Sequence, residues 1–169
     1  MLKWLWLSGL VIALDQVTKF LAEKNLVPYQ PEALTGWFNL TLMYNTGAAF
    51  SFLANAGGWQ RWLLLGLAMT VSVVLLILLA RLQAGQRWLA AAFALVLGGA
   101  VGNIIDRLLH GHVIDFIDLH HSTLSGWIGF SANGHWPAFN IADAAIFTGA
   151  AMLLLDSFRD STSKSETQS

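Results

Sequence analysis

The sequence predicts an all-α membrane protein with four transmembrane helices and a small extramembrane β-rich element between the first and second. Three observations lead there. Of the 169 residues, 56% are hydrophobic and 11% charged, where a soluble domain carries roughly a quarter charged residues; a water-soluble fold of this length could not hide that much apolar surface. Four runs are long enough to span a hydrocarbon core of about 30 Å, which takes roughly 20 apolar residues. Tryptophan stands at or beside the start of each run, where its amphipathic ring favours the membrane interface.

The four spans cover about 4–22, 62–80, 88–109 and 137–158. The second carries no charge, the first holds Asp15 and Lys19, the third ends in Asp106 and Arg107, and the fourth contains Asp143. Lys3 followed by an apolar run resembles a signal peptide, but no small-x-small cleavage site follows, so the segment is expected to be retained. Four spans place both termini on one side. Lys3, Arg81, Arg87, Arg159 and Lys164 on that side outnumber Lys19, Lys24, Arg61 and Arg107 opposite, a bias toward cytoplasmic termini. The chain is expected to be one domain over 1–169, with 160–169 a disordered cytoplasmic tail.

Between the first two spans, Phe38, Leu40, Leu42 and Tyr44 alternate with Asn39, Thr41 and Asn45. That period of two predicts a short strand or hairpin, closed by the turn-prone 55–58. The stretch 110–136, rich in His, Ser and Gly, is expected to be irregular, and its part 122–134 to be a mobile cover. A net charge of −1 without a basic block argues against nucleic-acid binding. The absence of cysteine excludes disulfides, thiolate metal sites and a cysteine nucleophile.

The topology brings Asp15, Asp106 and Asp143 to a similar depth near one membrane face, with Asn45 and Asp115 in the connections on that side. A charge within a membrane costs roughly 2.5–3.5 kcal/mol on insertion scales, which makes each such acid a candidate for function. Asp15 can pair with Lys19 at i,i+4, and Asp106 lies beside Arg107 and one turn from Asn103, so a scaffold role fits both. Asp156, near the opposite interface, is expected to be solvated. Asp143 has no cation within a turn of it. Asp115 interrupts the apolar run 113–117, and beside Asp143 it would form a carboxyl pair that cannot comfortably ionise twice, supplying an acid and a base together. Gly98, Gly99 and Gly102 form a small-residue surface suited to close helix packing. His110, His112, His120, His121 and His135 all fall in the last outer connection, without a helical His-Glu-x-x-His motif. No metal and no cofactor is expected.

Five blocks in order carry a family resemblance: Asp15-Gln16-Val17-Thr18-Lys19; Asn45-Thr46-Gly47-Ala48-Ala49-Phe50-Ser51; Gly98-Gly99-Ala100-Val101-Gly102-Asn103 with Asp106-Arg107; Val113-Ile114-Asp115-Phe116; and Phe139-Asn140-Ile141-Ala142-Asp143. Together they resemble signal peptidase II, the lipoprotein signal peptidase family. The resemblance implies a bacterial inner-membrane aspartyl endopeptidase with cytoplasmic termini, a periplasmic β-rich cradle and a site near the periplasmic face. Asp115 and Asp143 would be its catalytic pair. Asn45, Gly47, Asn103, Arg107 and Asn140 would line or brace the substrate groove, with Asp15, Lys19 and Asp106 in support. The implied substrates are prolipoproteins carrying diacylglycerol on a cysteine, cut just before that cysteine, by a monomer whose other partners are membrane lipids. Two departures stand out: the segment between Asp115 and Asp143 is several residues longer than in many members, and Ala144 replaces a hydroxyl residue that often follows the final aspartate. A small proton-coupled transporter or channel subunit is the main rival, because paired carboxylates also relay protons, but the apolar inner halves of the spans count against a continuous pathway. A non-catalytic assembly factor and a zinc peptidase using the loop histidines are further alternatives.

Overall fold

The computed structural model describes residues 1–47 and 58–166, with side chains in the final helix described as far as Phe158. A single 3-10 turn, Leu2–Trp4, leads into α1 (Leu5–Asn25). Strands β1 (Glu32–Ala33) and β2 (Phe38–Asn45) follow, then α2 (Trp59–Arg81), α3 (Arg87–Leu109), β3 (Val113–Leu119) and α4 (Ile141–Glu166). Among the described residues, four helical stretches are long and apolar enough to cross a membrane: Leu2–Asn25, Trp59–Arg81, Arg87–Leu109 and Ile141–Phe158. The fold class is the one the sequence predicts, with the spans beginning and ending within a few residues of their expected limits.

Small residues make α3 the central helix of the bundle. Ala90, Ala92, Ala94, Gly98, Gly99, Ala100 and Gly102 are all buried along it, and it packs against α1, α2 and α4. A Cβ on Gly98 would lie 2.9 Å from the Ser8 carbonyl oxygen of α1, one on Gly99 would overlap the Ala142 backbone of α4, and one on Gly102 would lie 2.6 Å from the Asp15 carboxylate. Without that bulk the helices approach closely, which is how apolar helices associate where lipid removes the hydrophobic drive between them. By contrast, α2 turns Trp62, Leu67, Val73 and Ile77 outward, as a lipid-facing surface requires.

Strand order in the sheet is β1-β2-β3, antiparallel throughout, with Phe38 opposite Leu119 and Asn45 opposite Val113. The register shifts between Leu40 and Met43. The sheet covers the end of the bundle: Ala22 and Leu26 of α1 share a core with Leu42, Ile114 and Phe116, against which Leu40, Ile117 and Ile141 also pack.

Two expectations need correction. First, 110–136 is not irregular throughout, because 113–119 is strand β3. It lacks visible alternation because Val113, Ile114, Asp115, Phe116 and Asp118 are all buried, and a strand covered on both faces has no polar side to advertise it. Accordingly β2 pairs with β1 and with this distant strand; of the expected closing turn, 55–57 lies outside the described residues, as does 48–51 of the second motif block. Second, the fourth span starts at Ile141, because the chain before it runs extended against β3. Phe139 bridges Ile117, and its carbonyl accepts from the Phe116 and Ile117 amides at 3.1 and 2.9 Å. The α4 helix is described through Glu166.

Candidate active site

The start of α4 organises the polar end of the bundle. Asn140 stands immediately before the helix, and its Oδ1 accepts from the Asp143 amide at 2.9 Å while Asp143 Oδ2 accepts from the Asn140 amide at 3.4 Å. This reciprocal arrangement is a capping box, which satisfies donors that a helix start would otherwise leave unpaired. The Asn140 Nδ2 donates to Asp115 Oδ1 at 2.8 Å and to the Ile114 carbonyl at 3.2 Å. One fully buried asparagine therefore ties Asp115 of β3 to Asp143 of α4. The hydrogen bonds of Phe139 to β3 hold the same two elements in register.

A buried lattice lies behind the pair. Lys19, 1% exposed, places its ammonium 2.8 Å from Asp15 Oδ2, 2.8 Å from Asp106 Oδ2 and 3.1 Å from Asn103 Oδ1, which uses all three of its donors. Since the ammonium can only donate, the Asn103 oxygen must face it and the amide nitrogen must face the other way. That nitrogen donates to Asp143 Oδ1 at 2.8 Å. Asp15 Oδ1 accepts from the Ala142 amide at 2.9 Å, so a carboxylate of α1 sits at the positive end of the α4 dipole. Asp106 Oδ2 also accepts from the Ile114 amide at 3.1 Å and fixes the start of β3. Asp15 thus does pair with Lys19 at i,i+4, but it clamps α4 as well.

The end of β2 closes the third side. Asn45 Nδ2 donates to Asp115 Oδ2 at 3.1 Å, while its Oδ1 accepts from the Gly47 amide at 3.0 Å. Arg107 Nη2 donates to the Gly47 carbonyl at 3.1 Å, and its Nη1 to the Asn103 carbonyl at 3.4 Å. All ten residues singled out from the sequence therefore fall in one connected region. Burial, and after it the charge of Asp143, pushes the Asp115 carboxyl up to about 7 against the opposing effect of Asn45, Lys19 and Asn140. Two residues given no role from the sequence also matter. Gln16 Nε2 donates to Asp106 Oδ1 at 2.9 Å and Asp15 Oδ2 at 3.2 Å; its place one residue after Asp15 was the available signal. Asp118 forms a separate buried cluster, accepting from Thr41 at 2.8 Å and Asn39 at 3.2 Å and pairing with His135 Nδ1 at 2.7 Å. The histidines divide between two places. His110 and His112 lie by Tyr44, and His120 stacks on His135 at the far end of the sheet. Asp156 is half-buried, about 20 Å along α4 from Asp143 at 1.5 Å per residue.

The family model for signal peptidase (SPase) II matches residues 7–159. The chain belongs to the signal peptidase II family. Proteins named lipoprotein signal peptidase from Alteromonas mediterranea and Pseudomonas syringae pv. tomato are 48% and 52% identical to it, over 98% and 94% of this chain and 85% and 87% of theirs. The one from Aeromonas hydrophila is 47% identical over 98% of this chain and 94% of its own. Among solved structures, a bacterial membrane enzyme determined by the in meso method at 2.3 Å matches with a TM-score of 0.80 and 26% identity, covering 96% of this chain and 91% of the other. Family membership makes this chain a peptidase, and with its four apolar helices a multi-pass protein of the bacterial inner membrane.

Proposed function

We propose that this peptidase removes signal peptides from prolipoproteins whose cysteine carries diacylglycerol, cutting just before that cysteine, with Asp115 and Asp143 sharing the acid and base roles. The observation that carries the reading is Asn140, whose side chain donates to the buried Asp115 carboxyl and accepts from the Asp143 backbone amide while its own backbone amide donates to the half-buried Asp143 carboxyl, so that one residue joins two carboxyls from different elements. Such a pair holds one proton near neutral pH because a second charge would be created beside the first in a poorly hydrated site. The anionic member takes a proton from water as the water oxygen bonds to the scissile carbonyl carbon. The protonated member hydrogen-bonds the carbonyl oxygen, and as the tetrahedral centre collapses and the C–N bond breaks, a proton passes to the leaving amine. No covalent enzyme intermediate is required. The proton belongs to the pair rather than to either residue.

In this reading Asn103, Asn140 and Asn45 orient the two carboxyls, Lys19, Asp15 and Asp106 brace the asparagines and the start of α4, and Arg107 with Gly47 shapes the adjoining wall. The termini are cytoplasmic and the sheet end of the bundle is periplasmic. A signal-peptide helix crossing the bilayer would then present its cleavage point at the depth of the pair, while its acyl chains stay in lipid; burial worth about 0.8 kcal/mol per methylene favours the lipidated substrate. Purified protein should cleave a diacylglyceryl prolipoprotein and leave the unlipidated form intact. Equal cleavage of both would remove the lipid from the recognition, and cleavage of neither would remove the substrate class.

A further inference from the structure

The outer connection beyond β3 has no part in this lattice, and its shape and composition point to a partner. Strand β3 starts beside the exit of α3, where the Ile114 amide meets Asp106. It passes over the end of α1, where Ile114 and Phe116 pack with Ala22 and Leu26, and reaches the start of α4, where Ile117 bridges Phe139. The strand crosses the end of the bundle instead of rising from it. Chain that continues past Leu119 is therefore directed beyond the edge of the bundle as an overhang.

That overhang is a built finger. His120 bridges His135, and the His121 amide donates to Gly134 at 3.0 Å. Further out, the Gly126 amide donates to Ser131 at 3.1 Å and the Ser131 amide to His135 at 2.8 Å. Phe130 meets Trp136 edge to face at 5.3 Å. The His135 ring, held by Asp118, pins the base. Its tip carries Trp127 and Ile128, 67% and 102% exposed. At its base lies Trp37, whose carbonyl accepts from the His120 amide and whose ring is 57% exposed. From Leu119 to Ala142 there is no Asp, Glu, Lys or Arg. A water-bathed segment of this length ordinarily carries several charges, and an isoleucine exposed in full beside a tryptophan is a poor surface for water.

We infer that the Trp127–Ile128 tip is a membrane foot, resting in the headgroup and upper acyl region of the same bilayer leaflet that the site faces. Tryptophan favours that depth, a strand that crosses the bundle end directs the finger sideways toward it, and the missing charges remove the cost of settling there. Lacking cations, the contact is with the apolar interface and not with anionic headgroups. It ties the base of β3, and so the strand that carries Asp115, to the bilayer surface.

The chain has no cysteine, so I128C gives a single spin-label site on a side chain that packs against nothing. The labelled protein is reconstituted in nanodiscs of phosphatidylcholine, with and without phosphatidylglycerol, and its collision rates with oxygen and a water-soluble nickel chelate are compared with those of V73C, on the outward face of α2. The foot predicts an oxygen-rich, nickel-poor environment for I128C, shallower than V73C and the same in both lipids. Nickel access equal to that of a free label in water overturns the inference. So does protection that appears only with anionic lipid, only on raising the protein-to-disc ratio, as contact with a second copy would give, or only on adding a lipidated precursor, as a cover over the groove would give. W127S/I128S, read by cleavage of a lipidated precursor in the same discs, should raise KM more than it lowers kcat; an unchanged KM would contradict the anchoring role.

Discussion

Asp115 and Asp118 stand three residues apart on β3, both nearly inaccessible to solvent, yet their surroundings send them opposite ways. Asp118 has a histidine, a threonine and an asparagine around its carboxylate, and although burial works against the anion, those partners hold it below the usual carboxylate range. Asp115 has amide donors from Asn45 and Asn140, but its burial is deeper and Asp143 adds a second negative charge, so it is pushed up to about 7. Burial alone does not make an acid reactive. What separates the two is whether the neighbours neutralise the anion or compete with it, and the proposed mechanism accordingly gives proton transfer to Asp115 and a structural tie to Asp118.

The largest effect should come from removing the proton exchanger itself. D115N and D143N preserve side-chain shape and should each lower cleavage of a lipidated precursor by about 10²–10⁴-fold, the usual contribution of general acid–base catalysis, with accumulation in the membrane unchanged. In the proposed mechanism the pair acts as a unit, so the double variant should be little worse than either single one. D118N should leave the chemical step nearly intact.

Next in size is Lys19. K19M strands Asp15 and Asp106 as buried carboxylates, and breaking a buried pair by removing one partner costs about 3–5 kcal/mol. Thermal unfolding in detergent should record a large loss of stability. If K19M is as stable as the parent, the lattice does not brace the site.

The two strand acids should then differ in the sign of their pH dependence. The folded Asp115 binds its proton more tightly than the unfolded chain, whose value is 3.8, so its contribution to stability is greatest below that pH and declines as pH rises toward about 7. D115N should therefore be more stable than the parent at pH 8 and show no such gain at pH 4. Asp118 is depressed from 3.8, so its contribution is present above that pH and lost as pH falls through its folded value. D118N should be less stable at pH 8 by about 1–3 kcal/mol, the cost of leaving hydrogen-bonding partners unsatisfied. Smallest of all, D156N should leave cleavage unchanged, since that acid lies far from the pair.

The spans were legible in the sequence because hydrophobic length and interfacial tryptophan report directly on the bilayer, and the Asp15–Lys19 pair because i,i+4 spacing needs only one helix. Strand β2 was legible through its alternation. Strand β3 was not, because burial on both faces erased the alternation and two acids broke the apolar run. The reach of Lys19 to Asp106 and Asn103 depends on α1 and α3 packing closely over Gly98 and Gly102, a tertiary fact that spacing does not encode. Gln16 and Asp118 escaped for the same reason, since their partners lie on distant elements. Asp115 and Asp143 could be paired beforehand from the resemblance and from the assumption that one membrane face collects them; the Asn140 capping box supplies the local geometry behind that pairing.

The claim that Asp115 and Asp143 hold one proton between them and use it is tested most directly by the pH dependence of kcat/KM on a lipidated precursor, measured for the parent, D115N and D118N. The parent should show a bell, with its alkaline limb near the value of about 7 to which the Asp115 carboxyl is pushed, D118N the same bell, and D115N a residual rate without that limb. A parent profile that is flat through neutral pH, or a D115N enzyme that keeps both the rate and the alkaline limb, would contradict it.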